Sequence, residues 1–329
     1  MGRNINEGWV AMTVVNRKNC CTIWWNLCLC VAFTSVVSKC GAATPPYTDL
    51  AITADGQALI ATSQMGAHVV SWSDLKQQKV IAASFTNLHC VAFSPSGEYF
   101  VLGGGNPAEE GGIQVFSWPE CTPLMTLTGH EDSVMAVAWV GDHQVVSAGL
   151  DRLLNTWDIR TKKLIRSYRG HSRGITAVCY LPTQNLVSGS HDVSVRVWGL
   201  ESTSAVRTLN QHSQPIHSIA VSPLESAHPV VATAANDRTI RFWQPTIGRM
   251  MRYIRLESEP LDVAWMDERY LIASCVDGRA RCIDSMNVKV VGEEPGVEGW
   301  AYAVAVHPQE RVCVLAGSEG VIRKVEFSE

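Results

Sequence analysis

The sequence predicts an all-β fold, a seven-bladed β-propeller of four-stranded antiparallel blades, and three observations carry that expectation. An apolar tripeptide recurs seven times at nearly constant spacing. After each copy come short runs rich in Val, Ile, Thr and aromatics, broken by Gly, Asp and Asn, which is strand and turn chemistry. The 329 residues are 46% hydrophobic and 18% charged, so a large core is within reach and wholesale disorder is excluded.

The repeated unit is Leu50-Ala51-Ile52, then Val91-Ala92-Phe93, Val137-Ala138-Trp139, Val178-Cys179-Tyr180, Ile219-Ala220-Val221, Val263-Ala264-Trp265 and Val304-Ala305-Val306. Steps between first residues are 41, 46, 41, 41, 44 and 41. Turn signals follow several copies, at 94–97, 222–225 and 307–310. Four strands per step make one blade, which cannot bury both faces alone, whereas seven around an axis cover one another. The blades are expected at about 47–85, 86–130, 131–171, 172–212, 213–256, 257–297 and 298–329, within a domain spanning 44–329. The last blade runs out after its third strand. It is therefore either three-stranded or completed by 33–39, Phe33 to Lys39.

Residues 1–43 differ in composition. Arg17 and Lys18 precede an uncharged run from Cys21 to Val37, and Lys39 and small residues close it. These are the parts of a secretory signal peptide, with an uncleaved anchor as the alternative. The expected location is extracytoplasmic, periplasmic or secreted; the alternatives are a membrane-anchored or a cytoplasmic protein. Five of eleven cysteines (20, 21, 28, 30 and 40) lie here, and the other six show no CxxC spacing, so no zinc site is expected. Those six read as small buried hydrophobes, although Cys275 and Cys282 flank one turn where a disulfide is the alternative. A net charge of -4 leaves no footprint for nucleic acid, and the local basic run from Arg160 to Arg173 reads as a solvated strand edge.

Gly129-His130, Gly170-His171 and Trp157-Asp158 resemble the dipeptides that name the WD40 repeats, and the resemblance covers about 47–329. Its most specific part is spacing: Asp151 to Trp157, Asp192 to Trp198 and Asp237 to Trp243 are each six apart, with Ser147, Ser188 and Thr233 four before each Asp. His130, His171 and His212 stand upstream. The resemblance implies a buried His–Asp–Ser/Thr–Trp tetrad in blades 3, 4 and 5. In blade 1 only Thr62 and Trp72 are expected to survive, with Gly66 at the Asp position, and in blade 2 only Trp118. Blade 6 has Ala273 and Ile283, and blade 7 has Leu315, Glu319 and Val325. An exported WD40 protein of bacterial type is the expectation when the leader is added.

Three motifs invite a sharper reading. "SGSHD", 188–192, places Ser, His and Asp side by side, but neighbours on one strand point to opposite faces and cannot form a triad. "VLGGGNPAEEGG", 101–112, lacks Gly-Lys-Ser/Thr and a following helix, so it reads as an inserted glycine-rich hairpin loop rather than a phosphate cradle. "WDIR", 157–160, resembles the WDxR signature by which some WD40 substrate receptors dock on a ubiquitin-ligase adaptor. The same letters occur in many repeats without that role, and the bland reading is preferred.

Blade tips supply the candidate contacts. Strand starts carry His89, Met135, His217 and Tyr302, together with Thr176 and Leu261. Turns carry Arg152, an exposed His191, Asn236 and Arg238, and Arg173 and Trp300 stand at loop mouths. Catalytic and metal residues and cofactors are expected to be absent. The expected function is a non-catalytic, monomeric ring that presents one face to other proteins, with no nucleic acid and no membrane contact except through a retained leader. The alternative is an accessory or docking subunit of an exported enzyme or redox complex.

Overall fold

The computed structural model describes residues 45–327, so the leader, its cysteines and 33–39 lie outside the described residues. Those residues form seven antiparallel sheets in strict sequence order, six of four strands and a last one of three (Ala301–Val306, Val312–Gly317 and Ile322–Glu326). Each apolar tripeptide lies in the first strand of its sheet: Tyr47–Ile52, Leu88–Phe93, Val134–Val140, Ile175–Leu181, Ile216–Val221, Pro260–Trp265 and Ala301–Val306. Each of these strands touches the first strand of the next sheet, and the seventh touches the first. The ring is closed. The fold is a seven-bladed propeller, and its first strands line the central channel.

Small and β-branched residues suit those inner strands because seven of them converge on one axis. The core lies between blades. Leu102 and Phe100 of blade 2 meet Ile60 and Val69 of blade 1, and Val187 and Val197 of blade 4 meet Ile216 and Val231 of blade 5. Each such buried side chain is worth about 1.5–3 kcal/mol. Six cysteines among the described residues are buried and unpaired. The Cys275–Cys282 disulfide does not form, because Cys282 sits opposite Ile272 across the hairpin, three residues from Cys275.

Blades 7 and 1 are joined by polar and aromatic contacts as well as by Leu50, Leu59, Ala303 and Val314. The Trp72 ring stacks on His307 at 4.4 Å and donates from Nε1 to Glu310 at 3.1 Å. His307 Nε2 donates to the Gly56 carbonyl at 3.1 Å, and Gln309 Nε2 to that of Ala54 at 3.1 Å. Lys324 lies over the same indole at 4.2 Å.

The glycine-rich stretch of blade 2 is not a loop. Tyr99–Asn106 and Glu110–Ser117 pair along their whole length, up to Asn106 opposite Glu110, so only 107–109 form a tip. The glycines allow close approach: a Cβ on Gly104 would come within 2.1 Å of the Asn87 carbonyl oxygen, and one on Gly111 within 2.0 Å of that of Asp132. No side chain fits there.

Candidate partner-binding face

An antiparallel blade in sequence order puts its second-to-third turn and the loop to the next blade on one side, here called the upper face. In blades 3, 4 and 5 those turns are held by buried chains of hydrogen bonds. Trp198 Nε1 donates to Ser188 Oγ at 2.9 Å, Ser188 Oγ meets His171 Nε2 at 2.8 Å, and His171 Nδ1 donates to Asp192 at 2.9 Å. Blade 3 repeats this through Trp157, Ser147, His130 and Asp151 at 2.8, 2.7 and 2.8 Å. Blade 5 does so through Trp243, Thr233, His212 and Asp237 at 2.8, 2.7 and 2.9 Å. Each Asp also accepts the backbone N–H groups that shape the turn, such as Ser172 and Ser194 for Asp192, at 2.9 and 3.1 Å.

Asp192, His171 and Ser188 follow the bonding order of a hydrolytic triad, so the comparison must be made explicitly. Ser188 has no exposed surface, and its hydroxyl oxygen is already the acceptor for the Trp198 indole. A nucleophile needs access to a carbonyl and an oxyanion hole beside it, and this hydroxyl faces the blade interior. Burial keeps His171 neutral by lowering its pKa, against the pull of Asp192. Burial alone would raise the pKa of Asp192, yet the bonds from His171 and Ser194 outweigh it and hold the carboxyl well below its usual range.

Two kinds of partner escaped the sequence reading. Ser194 Oγ and Thr239 Oγ1 each donate to their tetrad Asp at 2.6 Å, a contact that Asp-x-Ser/Thr spacing makes legible in blades 4 and 5 and that Leu153 denies to blade 3. Blade 6 replaces the histidine outright. The buried guanidinium of Arg281 grips Asp277 with two bonds, at 3.0 and 2.7 Å, and reaches Glu293 at 3.1 Å.

Register corrects the readings of blades 1 and 2. Trp157, Trp198 and Trp243 lie opposite Val145, Leu186 and Val231, and the matching pairs are Val70 with Leu59 and Phe116 with Phe100. Trp72 and Trp118 therefore fall two residues beyond the tetrad position, and Ala61 rather than Thr62 holds the hydroxyl position. The cause is turn length. Ala61 to its partner His68 is seven residues, against eight from Ser147 to Asn155, so a fixed six-residue ruler slips in blade 1. Trp72 serves the 7–1 seam instead, and Trp118 packs edge-on against Phe93 at 5.4 Å.

Every inner strand carries one bulge at its start. The residue skipped in the pairing is Thr48, His89, Met135, Thr176, His217, Leu261 or Tyr302, one per blade. A bulge frees its residue from the ladder and re-aims the side chain. The strand-start candidates are thus one ring around the upper channel mouth, and all seven are partly buried. Thr176 Oγ1 donates across to the Ile216 carbonyl at 2.6 Å, and Thr48 Oγ1 to that of Leu88 at 2.8 Å. Burial pushes His89 and His217 down to about 4, so both are neutral near pH 7.

The turn candidates differ among themselves. Arg152, Arg173 and Arg238 are exposed, and Asn236 accepts from His217 Nε2. His191 was expected to be exposed and is half-buried, because its N–H donates to the Gly174 carbonyl at 3.0 Å and draws the turn against the incoming loop. Burial lowers its pKa, and Arg173 adds to the effect. Trp300 is 37% exposed and meets Tyr302 edge-on at 5.9 Å. One layer deeper, Asp49 and Asp262 tie inner strands together: Asp49 accepts the Val91 N–H at 2.8 Å, and Asp262 accepts that of Val304 at 2.9 Å and the Ser218 hydroxyl at 2.6 Å. Burial first, then Asp262, pushes Asp49 up to about 8. Among the described residues no three His, Cys, Asp or Glu side chains group as a metal site.

The WD domain, G-beta repeat family model matches residues 162–199 and 203–244, which take in the last strand of blade 3, all four strands of blade 4 and three of blade 5. The fold is that of a seven-bladed WD40-repeat propeller. A second family, the DDB1- and CUL4-associated factor 12 beta propeller, matches 60–168. Among curated proteins, the WD40 propeller is similar to UBP9-binding protein bun62 of Schizosaccharomyces pombe, 27% identical over 143 residues, 42% of this chain and 24% of that one. It is also similar to Periodic tryptophan protein 2 of Arabidopsis thaliana, 28% identical over 95 residues, 29% of this chain and 10% of that one. The matched parts thus span about a quarter and a tenth of these relatives. Both are eukaryotic, which lends no support to the bacterial type of protein expected from the leader. WD40 propellers are typically non-enzymatic scaffolds.

Proposed function

We propose that the protein is a non-catalytic, monomeric scaffold that binds partner proteins through its upper face. The ring of seven bulged residues at the channel mouth supports this reading, since it gathers one re-aimed side chain per blade at one place. Around it stand Arg152, Arg173, Arg238 and Trp300, residue types that dominate binding energy where partners meet. Rigid blades hold these groups in place, so little ordering entropy opposes binding. The test is affinity capture from the native host with the wild type and a variant carrying Arg152→Ala, Arg173→Ala, Arg238→Ala and Trp300→Ala. The variant loses partners that the wild type retains; an unchanged partner set refutes the face.

A second reading concerns the opposite face. The match at 60–168 contains Trp157-Asp158-Ile159-Arg160, and the matched description names association with DDB1 and CUL4. Asp158 accepts the N–H groups of Arg160 and Thr161 at 2.8 and 2.9 Å, and the resulting turn presents an exposed Arg160. In this reading Arg160→Ala loses one adaptor-type partner and keeps the rest. Export through residues 1–43 is the competing proposal, because it separates the protein from such an adaptor. N-terminal sequencing of protein from its host decides: a mature start beyond residue 40 removes the adaptor reading, and an intact leader removes cleavage.

A further inference from the structure

The upper face is uneven, and blade 7 holds its exposed aromatic group. Trp300 stands on a fixed pedestal: its N–H donates to Ser318 Oγ at 3.1 Å, and its carbonyl accepts the Ser318 N–H at 3.0 Å. The Tyr302 ring braces the indole edge-on. The ring is therefore held in place before any partner arrives.

The surroundings are acidic. The loop into blade 6 carries Glu257 and Glu259, and the loop into blade 7 carries Glu298. Both loops are bonded to the same blade 6 turn, at 276–278: Val276 N–H donates to the Glu259 carbonyl at 3.0 Å, and the Val297 N–H donates to that of Gly278 at 3.0 Å. Of the nearby arginines, Arg279 pairs with Glu293 and Arg281 with Asp277 and Glu293, whereas the exposed Arg238 and Arg255 flank the loop at Glu257. Glu257, Glu259 and Glu298 take part in no ion pair among the described residues. An indole face in a loop cluster whose carboxylates make no ion pair attracts cations twice over, through the ring quadrupole and through charge.

We propose that the Trp300–Tyr302 platform, with Glu257, Glu259 and Glu298, binds a Lys/Arg-rich segment of a partner protein. One basic side chain lies over the indole, and its neighbours face the three carboxylates. The inference rests on the scaffold reading and names the chemistry of one partner. The probe is a phage-displayed random dodecapeptide library, selected on the immobilised full-length protein. Enriched peptides are expected to be rich in Lys and Arg. The best of them, made synthetically, is expected to bind Trp300→Ala and Glu259→Lys/Glu298→Lys at least tenfold more weakly, and Trp300→Phe within about threefold. Binding also weakens with salt, as exposed charge pairs require. Circular dichroism and the thermal midpoint of each variant separate lost binding from lost fold. Acidic or purely apolar consensus peptides, no enrichment, or a folded Trp300→Ala that binds unchanged each overturns the proposal. If capture from the host still depends on the upper face, the scaffold reading stands without it.

Discussion

Blades 4 and 6 hold the same turn by different chemistry. In blade 4 a neutral, buried histidine donates one bond to Asp192, and a serine and a tryptophan complete the chain. In blade 6 a permanently charged guanidinium makes two bonds to Asp277, while Ala273 and Ile283 take the serine and tryptophan positions. The carboxylate at the turn is the shared part. What the propeller needs there is an acceptor for the turn's N–H groups, and several donors can fix it from behind.

The comparison breaks most visibly at the carboxylates. Asp192→Ala strands His171 and the N–H groups of Ser172 and Ser194, and should cost about 3–4 kcal/mol in urea unfolding. Asp277→Ala leaves Arg281 with Glu293 and should cost about half as much. Equal losses would mean that the histidine chain adds nothing. Removing only the neighbour, His191→Ala, should leave the fold intact, since the chain bypasses it.

Acid sharpens the same contrast. His171, His191 and His212 have lowered pKa values and His89 and His217 fall to about 4, all below the unfolded value of about 6.5. Their contribution is complete above about pH 6.5 and is lost as pH falls toward 4, because the unfolded chain then binds more protons. Asp49 acts oppositely: held neutral to about pH 8, it stabilises below the unfolded carboxyl pKa and loses that contribution as pH rises to 8. Stability should peak near pH 6–7 and drop by at least ~2 kcal/mol by pH 4. A urea midpoint that climbs steadily from pH 4 to pH 9 contradicts this.

The first and last blades were less legible than the middle ones, for physical reasons. The blade count and strand order follow from the spacing of the apolar tripeptide, and blades 3–5 show their tetrad residues because their turns share one length. Trp72 misled because its hairpin is one residue shorter. Its role at the 7–1 seam depends on His307 and Glu310, more than 230 residues away, and no local pattern announces such a contact. The channel carboxylates were hidden for the same reason, their partners lying 42 residues away. Arg281, by contrast, is only four residues from Asp277 and was missed because the repeat pattern places a histidine in that role. The bulge ring was half visible: the right positions could be chosen, but not the pairing slip that unites them.

Trp72→Phe keeps the stacking on His307 and removes the bond to Glu310, so it should cost about 1 kcal/mol. A similar loss in Glu310→Gln would be non-additive with it, as shared partners require. The smallest effect has the opposite sign. Val193 adopts φ 64° where blades 6 and 7 place Gly278 and Gly320 at 77° and 64°. A β-branched residue is strained there, and Val193→Gly should raise stability by about 1 kcal/mol. A loss would show that the Val193 side chain supplies contacts that outweigh its backbone.

The scaffold claim is tested most directly by site-specific photocross-linking in the native host. A benzoylphenylalanine placed at Arg173 on the upper face should give covalent adducts with partner proteins. The same group at Asn287, in a turn on the opposite face, should give none. Adducts from position 287 alone would contradict the account.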